Sequence, residues 1–295
     1  QPEMLATLRA QADRFTHFAD TFEALAVEIS EKRIRAQDMA IAAEIQQALL
    51  PRDLSRVSAR SAGRADLAAA MIPAKQVGGD YYDAFYVDDH QLALVVGDVA
   101  GKGVPAALYM GVACTILRTI ARGMATEGPA QTLAQLNRQM ARDQHEDMFL
   151  TVVYALLDLR DGVVRAACAG HDGAYVLSHG VAPAPLAPTG PAIGLIPGAA
   201  YREIRLRLLP GDALLLATDG AWEAFDRSGA VFGETRFEAK LAALSNGLDA
   251  RGAPPAEALV SGVIDSVAAF ADGAPSSDDL TCAAAIWRGP ASARA

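Results

Sequence analysis

Between about Phe15 and Leu50 the chain carries no glycine and no proline, and its large apolar residues recur at Phe15, Phe18, Phe22, Leu25 and Ile29, three or four apart. That spacing predicts one stripe of a long helix. A second stripe at Ile34, Ile41, Ile45 and Leu49 is offset from the first, with the slip at the charged cluster Glu31, Lys32, Arg33 and Arg35, and Pro51 ends the element. Such a helix cannot bury a face alone. It packs either on its own domain or on a second copy of itself through residues 15–50.

Beyond Pro51 the pattern shortens to β runs broken by turn residues. Strands are predicted over Leu67–Ile72, Asp80–Val87 and Gln91–Val99, the last two joined by a hairpin at Asp88-Asp89-His90. Two helices follow, over Val104 to about Ala125 and Pro129 to about Arg142, each with proline near its first turn. Strands resume at Phe149–Leu159 and Val163–Ala169, flanking the turn Arg160-Asp161-Gly162, and continue at Tyr175–Leu177. A proline- and glycine-rich connection over Val181–Gly198 leads to Tyr201–Leu208, where Ile204, Leu206 and Leu208 alternate with Arg205 and Arg207. Ala213–Thr218 reads as a buried strand, Glu234–Leu244 and Pro255–Ala271 as helices, and Leu280–Trp287 as the last strand. Hairpins in series imply antiparallel sheet, and paired helices imply an α+β layered plan instead of alternating βαβ units. We read residues 1–51 as a helical linker, 52–289 as one domain and 290–295 as a tail.

Composition narrows the function classes. Apolar residues make up 52% and charged residues 21%, an ordinary globular balance. Lysine and arginine number 26 against 35 aspartates and glutamates, a formal charge of −9, which argues against nucleic acid or an anionic membrane as partner and favours a cation. Cys114, Cys168 and Cys282 stand far apart with no C-x-x-C pair, so neither a disulfide framework nor a thiolate metal site is indicated, and a reducing cytoplasm is the expected compartment. The longest apolar run, Ala106–Leu117, is shorter than the ~20 residues a spanning helix needs. No secretory leader is recognisable, and the start at Gln1 reads as the start of a fragment of something longer.

The candidate chemistry lies in aspartates at strand ends. In Leu92-Ala93-Leu94-Val95-Val96-Gly97-Asp98 the two-residue period puts Asp98 on the face of Leu92, Leu94 and Val96, and in Leu215-Leu216-Ala217-Thr218-Asp219-Gly220 it aligns Asp219 with Leu215 and Ala217. Asp80 and Asp278 sit at the beginnings of strands. In an antiparallel sheet the exits of some strands lie beside the entries of their neighbours, so these four carboxylates can meet at one edge. Like charges held close stay ionised only when a cation neutralises them, and oxygen-only donors suit Mg²⁺ or Mn²⁺. Any one strand-end aspartate alone is more often a turn or cap residue. Four of them in Gly78-Gly79-Asp80, Gly97-Asp98, Asp219-Gly220 and Ser277-Asp278-Asp279 shift the balance towards an ion site. Asp83 falls on the opposite face from Asp80 and reads as structural.

Two nucleotide motifs are excluded. Gly101-Lys102-Gly103-Val104-Pro105-Ala106 matches a dinucleotide fingerprint, but two helices separate it from the next strand, so the βαβ unit is missing. As a P-loop it has three residues between Gly97 and Gly101 where four are needed, and Gly103 in place of serine or threonine. His171, in the turn Ala169-Gly170-His171-Asp172-Gly173, either orients the loop by hydrogen bonds, the commoner role, or transfers a proton.

Taken in order, Val77-Gly78-Gly79-Asp80-Tyr81-Tyr82-Asp83, Gly97-Asp98-Val99-Ala100-Gly101-Lys102-Gly103, Ala169-Gly170-His171, Ala217-Thr218-Asp219-Gly220 and Ser277-Asp278-Asp279-Leu280-Thr281 resemble the metal-dependent protein phosphatases (PPM). The resemblance is to the bacterial SpoIIE/RsbU-like branch and covers roughly Ile45 to Arg288. It implies an αββα sandwich of two antiparallel sheets, with two Mn²⁺ or Mg²⁺ ions at its edge. By that likeness Asp98 bridges the ions, the Val99 carbonyl aids one, Asp219 and Asp278 hold the other, and Asp80 acts on the metal shell directly or through water. A metal-activated water then attacks a phosphoserine or phosphothreonine. The substrate implied is a phosphorylated regulatory protein, of the STAS-domain anti-sigma-factor-antagonist type, and relatives join upstream sensor or receiver domains through helices like the one over residues 15–50. The sequence departs from the pattern at Trp222, and the branch lacks the arginine that holds phosphate in eukaryotic members. Lys75 is the nearest replacement, either as a phosphate ligand or as a solvated loop lysine. A catalytically silent member that binds a partner is the other function to weigh, but it has no physical reason to keep a full carboxylate set.

Overall fold

The computed structural model describes residues 39–44, 46–51, 53–141, 148–248 and 254–290. By packing, the chain divides into two compact units, residues 1–44 and residues 45–295. Most of the expected long helix lies outside the described residues; of it, residues 39–44 and 46–49 are helical. Residues 46–50, which the sequence pattern assigns to the linker, belong to the second unit. The expected pairing of two chains through residues 15–50 and the tail after Pro290 also fall outside the described residues.

The second unit is a sandwich of two five-stranded antiparallel sheets. Its elements are α1 (Leu54–Arg60), β1 (Ala65–Ile72), β2 (Tyr81–Tyr86), β3 (Gln91–Val99), α2 (Val104–Gly123), α3 (Pro129–Met140), β4 (Leu150–Asp158), β5 (Val163–Ala169), β6 (Ala174–Leu177), β7 (Ala184–Pro185), β8 (Ile204–Arg207), β9 (Ala213–Ala217), α4 (Glu234–Ser245), α5 (Ala256–Ala271) and β10 (Leu280–Trp287). One sheet runs β1-β10-β9-β6-β7 and the other β2-β3-β4-β5-β8. Leu94, Val96, Val153, Ala155, Leu214, Leu216, Ala283 and Ala285 fill the space between them. On the outer face of one sheet, Val95, Val152 and Tyr154 pack against Met110, Leu117, Leu133 and Leu136 of α2 and α3. On the other, Leu215, Cys282 and Ala284 pack against Phe237, Leu241, Leu259 and Val263 of α4 and α5. The expected αββα plan is therefore the observed one. Central strands buried on both faces read as continuous apolar runs, which is why β3 and β10 alternate so little.

Three local differences have physical causes. The helix α1 was not expected; it is about two turns long with no buried residue, started by the Asp53 carboxylate accepting from the Ser55 N–H at 2.9 Å. The expected strand over Tyr201–Leu208 shrinks to four residues, Ile204–Arg207, though its half-exposed alternation holds. A two-residue strand, Ala184–Pro185, lies within the expected irregular connection and pairs with β6. The 20-residue α2 is, among described helices, long and apolar enough by length and composition to cross a membrane, where the sequence reading expected no such segment. Half of its apolar window is buried in the fold, and Arg118 pairs with Asp83 of β2, so α2 is the core helix of the outer layer.

Candidate metal centre

Four backbone segments meet at one end of the sandwich. Their contacts are long-range hydrogen bonds that no local pattern announces. The Val99 N–H at the end of β3 donates to the Gly79 carbonyl at 3.2 Å, and the Gly79 N–H donates to Asp279 Oδ2 at 2.9 Å. Asp279 Oδ1 also accepts from the Ala74 N–H at 2.8 Å, so one carboxylate before β10 pins both ends of the loop leading to β2. The Thr218 hydroxyl after β9 donates to Asp80 Oδ2 at 2.8 Å and accepts from the Thr281 N–H at 2.9 Å.

The glycines are there for close approach. A Cβ on Gly78 would stand 1.8 Å from Asp279 Oδ2, and one on Gly79 would stand 2.6 Å from the Val99 carbonyl and 3.0 Å from Asp98 Oδ1. Both would displace the loop, since neither distance is compatible with van der Waals contact. Asp98 ends β3 opposite Thr151 of β4, on the inter-sheet face as expected. Asp219 reaches the cluster differently from the expectation. The strand stops at Ala217 and Asp219 opens a 3₁₀ turn, Asp219–Ala221, so the two-residue alternation no longer sets its direction.

The carboxylates repel one another. Burial, followed by the charges of Asp219, Asp278 and Asp279, raises the Asp98 carboxyl to about 7. Asp219 is raised by burial, then by Glu223 and Asp278. Asp80 is fully buried and pushed well above the carboxylate range by desolvation and then by Asp98, with the Thr218 hydroxyl opposing. Lys102 offers a cation at the rim, its Nζ 2.9 Å from Asp278 Oδ2 and 2.9 Å from the Ser277 carbonyl. Among the described residues, the cluster does not close into a ready-made set of three or more carboxylate, imidazole or thiolate ligands. Its donors are all oxygen, and neutralising crowded carboxylates is what a hard divalent ion does, so the donor chemistry fits Mg²⁺ or Mn²⁺. The residues that would hold such ions, by the resemblance, are Asp98 with the Val99 carbonyl, Asp219, Asp278 and, from the interior, Asp80.

The remaining expected residues sort by position. Lys75 is exposed and makes no ion pair with a described residue, whereas Lys102, to which the sequence reading gave no role of its own, pairs with Asp278. Asp279 was also missed as a separate role; its partners are some two hundred residues away. His171 is buried, and burial lowers its pKa. Its Nε2 faces the Ala217 carbonyl at 2.9 Å, which can only accept, so Nε2 carries the proton and Nδ1 accepts from the Thr151 hydroxyl at 3.0 Å. It is thus the neutral loop anchor of the first alternative, tying β9 to the residue opposite Asp98. Trp222 lines the small cleft beside Asp98, Thr151, Asp172 and Asp219, and its ring leans on Phe237 at 5.3 Å. Asp83 points to the helix layer and pairs with Arg118, away from the carboxylates.

A proton-linked affinity follows from Asp98. A cation displaces the proton from a carboxyl that titrates near 7, so affinity rises as pH rises through that value. Between pH 6 and pH 8 the half-saturating Mn²⁺ concentration should fall about tenfold, read by titration of free Mn²⁺, and in Asp98→Asn that pH dependence should flatten.

A family model for Stage II sporulation protein E (SpoIIE) matches residues 88–288. Phosphoserine phosphatase RsbU of Bacillus subtilis is 31% identical over 195 residues, 65% of this chain and 55% of that protein. Protein IcfG of Synechocystis sp. is 29% identical over 225 residues, 68% of this chain and 35% of that protein. The chain thus spans only a third to just over half of the length of these two relatives. Among solved structures, the SiaA-PP2C domain of Pseudomonas aeruginosa superposes with a TM-score of 0.74 at 25% identity, covering 87% of this chain and 98% of that one. With the family model matching well over half of its length and the same fold underneath, the chain belongs to the SpoIIE family of PP2C-type phosphatase domains.

Proposed function

We propose that this chain is an active, metal-dependent phosphatase that removes phosphate from phosphoserine or phosphothreonine on a regulatory protein. The observation that carries this reading is the convergence of Asp98, Asp219, Asp278 and Asp279 at one end of the sandwich, where burial first and then the neighbouring charges raise the Asp98 carboxyl to about 7. Crowded carboxylates of this kind are costly without cations, and a silent binding module gains nothing by keeping them. Two bound Mn²⁺ or Mg²⁺ ions would supply an activated water and neutralise phosphoryl charge. The chain's own part is to position and to balance charge. Asp98 gives up its proton as the centre fills, the Val99 carbonyl and Asp219 face the same end of the sandwich, and Asp80 is held by Thr218 behind them. Lys102, already at the rim, is better placed than Lys75 to meet a phosphate oxygen.

Several finer parts of the proposal rest on the resemblance. The substrate is an anti-sigma-factor-antagonist type of regulatory protein, and activity is set through the N-terminal helix by pairing of two chains and by an upstream sensor or receiver domain; the cytoplasm as compartment rests instead on the three scattered cysteines. The name of RsbU, a phosphoserine phosphatase, supports the substrate class. The deciding experiment is hydrolysis of p-nitrophenyl phosphate and of a phosphoserine peptide by the full chain with Mn²⁺ and with EDTA, alongside its sedimentation. Metal-dependent turnover by a species of dimer mass is expected. A chain that binds Mn²⁺ and hydrolyses neither substrate is the silent module instead.

A further inference from the structure

Two residues of the carboxylate end also line a second, apolar hollow. A groove of about 110 Å³ lies between the segment after Asp219, the C-terminal half of α5 and the segment leading to β10. Asp278 and Gly220 form part of its wall, so it is continuous with the cluster. The remaining wall is almost wholly apolar. Val267 and Leu280 are buried, Ile72 and Phe225 are each 41% exposed, and the small, exposed Ala268 of α5 leaves the space unfilled. Two ties join the walls. Ser277 Oγ donates to the Glu223 carbonyl at 3.3 Å, and a looser, exposed pair sets Arg227 Nε 3.9 Å from Asp272 Oδ2. Along the chain, Ala224 and Phe225 fall between these ties on one segment, and Ala274, Pro275 and Ser276 between them on the other. Phe225 is itself held by a β-bridge to Val231 and by the next residue, Asp226, whose carboxylate accepts from the Ser228 and Ala230 N–H groups at 2.8 and 2.9 Å. The groove is therefore preformed, as ligand sites mostly are.

We propose that this groove is a specificity subsite, which takes a branched aliphatic side chain of the protein substrate a few residues from the phosphorylated one. The proposal rests on the reading of the chain as an active phosphatase. With phosphate at the carboxylate cluster, the polypeptide that carries it runs out across the rim, and Asp278 belongs to both rim and groove. An extended chain advances about 3.3 Å per residue with side chains alternating, so a neighbour of the phosphorylated residue can turn into a hollow that begins at Asp278. Size limits the class of side chain. An apolar cavity of about 150 Å³ holds a benzene ring, so this smaller one suits leucine, isoleucine or valine better than an aromatic residue. Chemistry limits it further, because a polar side chain would lose water there without gaining a partner, and Asp278 repels an acidic one. The other cleft beside the cluster, about 80 Å³ and lined by Thr151, His171, Asp172 and Asp219, offers an aliphatic group no such seat. Ile72 and Phe225, large and apolar yet open to water around one groove, are what a covered contact surface leaves exposed in the free protein.

The test is a set of phosphoserine peptides in an alanine background, with leucine placed in turn at each position near the phosphoserine, hydrolysed by the full chain with Mn²⁺. p-Nitrophenyl phosphate, too small to reach the groove, is the reference substrate. Leucine at one position should raise kcat/KM about tenfold over the all-alanine peptide, mainly through KM, as one aliphatic group in an apolar pocket does. Aspartate at that position should give no gain. Ala268→Leu, which fills the groove from an exposed helical position, should abolish the leucine preference, and Phe225→Ala should cut it about threefold or more. Both variants should hydrolyse p-nitrophenyl phosphate within about twofold of the parent, which a general loosening of the centre would not allow. If one variant fails to fold by circular dichroism, the other decides. A parent that hydrolyses every substrate without a leucine preference overturns the subsite and leaves the phosphatase reading standing, and a preference that survives the folded variants does the same. If Ala268→Leu changes the sedimenting mass and leaves the preference intact, the groove is a contact between copies and the proposal falls. A parent that hydrolyses nothing with Mn²⁺ refutes the phosphatase reading and the subsite with it.

Discussion

Asp98→Asn and Asp219→Asn should each lower phosphatase activity by at least a thousandfold, equivalent to about 4 kcal/mol of barrier, while leaving the fold intact. The amide keeps the size of the carboxylate and loses its charge, so what disappears is the attraction for the ions. The same change has an opposite effect on the metal-free protein. Asp98 sits among Asp219, Asp278 and Asp279, whose charges raise its pKa, and removing one member of a repelling set relieves the others. Melting in EDTA should therefore be unchanged or slightly later in Asp98→Asn than in the parent, although activity is gone. The pairing of lost turnover with retained or improved stability separates a metal ligand from a structural aspartate. Activity within about tenfold of the parent, ~1.4 kcal/mol of barrier, would remove Asp98 from the centre.

What could be read from the chain beforehand divides by the range of the interactions. The strands over Gln91–Val99, Val163–Ala169 and Leu280–Trp287 were expected with the observed bounds because they are mostly apolar, nearly continuously so in the first and last, and Gly162, Asp161 and Asp88 mark the turns around them. Asp98 was selected because strand geometry fixes direction locally, and Asp80 because it stands at the start of a strand, as it does directly before β2. Asp219 was selected for the same reason as Asp98, yet its position comes from the 3₁₀ turn that replaces the alternation. Asp279 and Lys102 lay beyond such reasoning. Asp279 acts on Ala74 and Gly79, and Lys102 on Asp278, and each of these pairs is brought together only by closure of the sandwich. Lys75 was picked for closeness in sequence to Asp80; the lysine bonded to one of the clustered carboxylates is Lys102, on Asp278.

The largest stability effect should come from Asp83, the aspartate that sequence position makes look most like its functional neighbour. Asp83 is 0% exposed and lies between two donors from the helix layer side. Arg118 of α2 binds both of its oxygens, with Nη2 at 2.7 Å from Oδ1 and Nε on Oδ2, and the Tyr81 hydroxyl donates to Oδ2 at 2.8 Å. The pair ties β2 to α2, and both elements leave the centre directly, β2 after Asp80 and α2 after Gly101-Lys102-Gly103. In Asp83→Ala the half-buried guanidinium loses its counter-charge, and the expected cost is about 3–5 kcal/mol because the remaining ion stays poorly solvated. For a domain of this size that corresponds to a fall in Tm of roughly 10 °C. Replacing both partners, as in Asp83→Leu with Arg118→Met, removes the stranded charge as well as the pair, so much of the lost stability should return. Activity per folded molecule, measured well below each variant's Tm, should stay within about threefold of the parent, less than 1 kcal/mol of barrier, because the pair touches none of the carboxylates at the centre. If the double variant melts no higher than Asp83→Ala, the loss came from packing around Asp83 and the buried ion pair is not what holds α2 to β2.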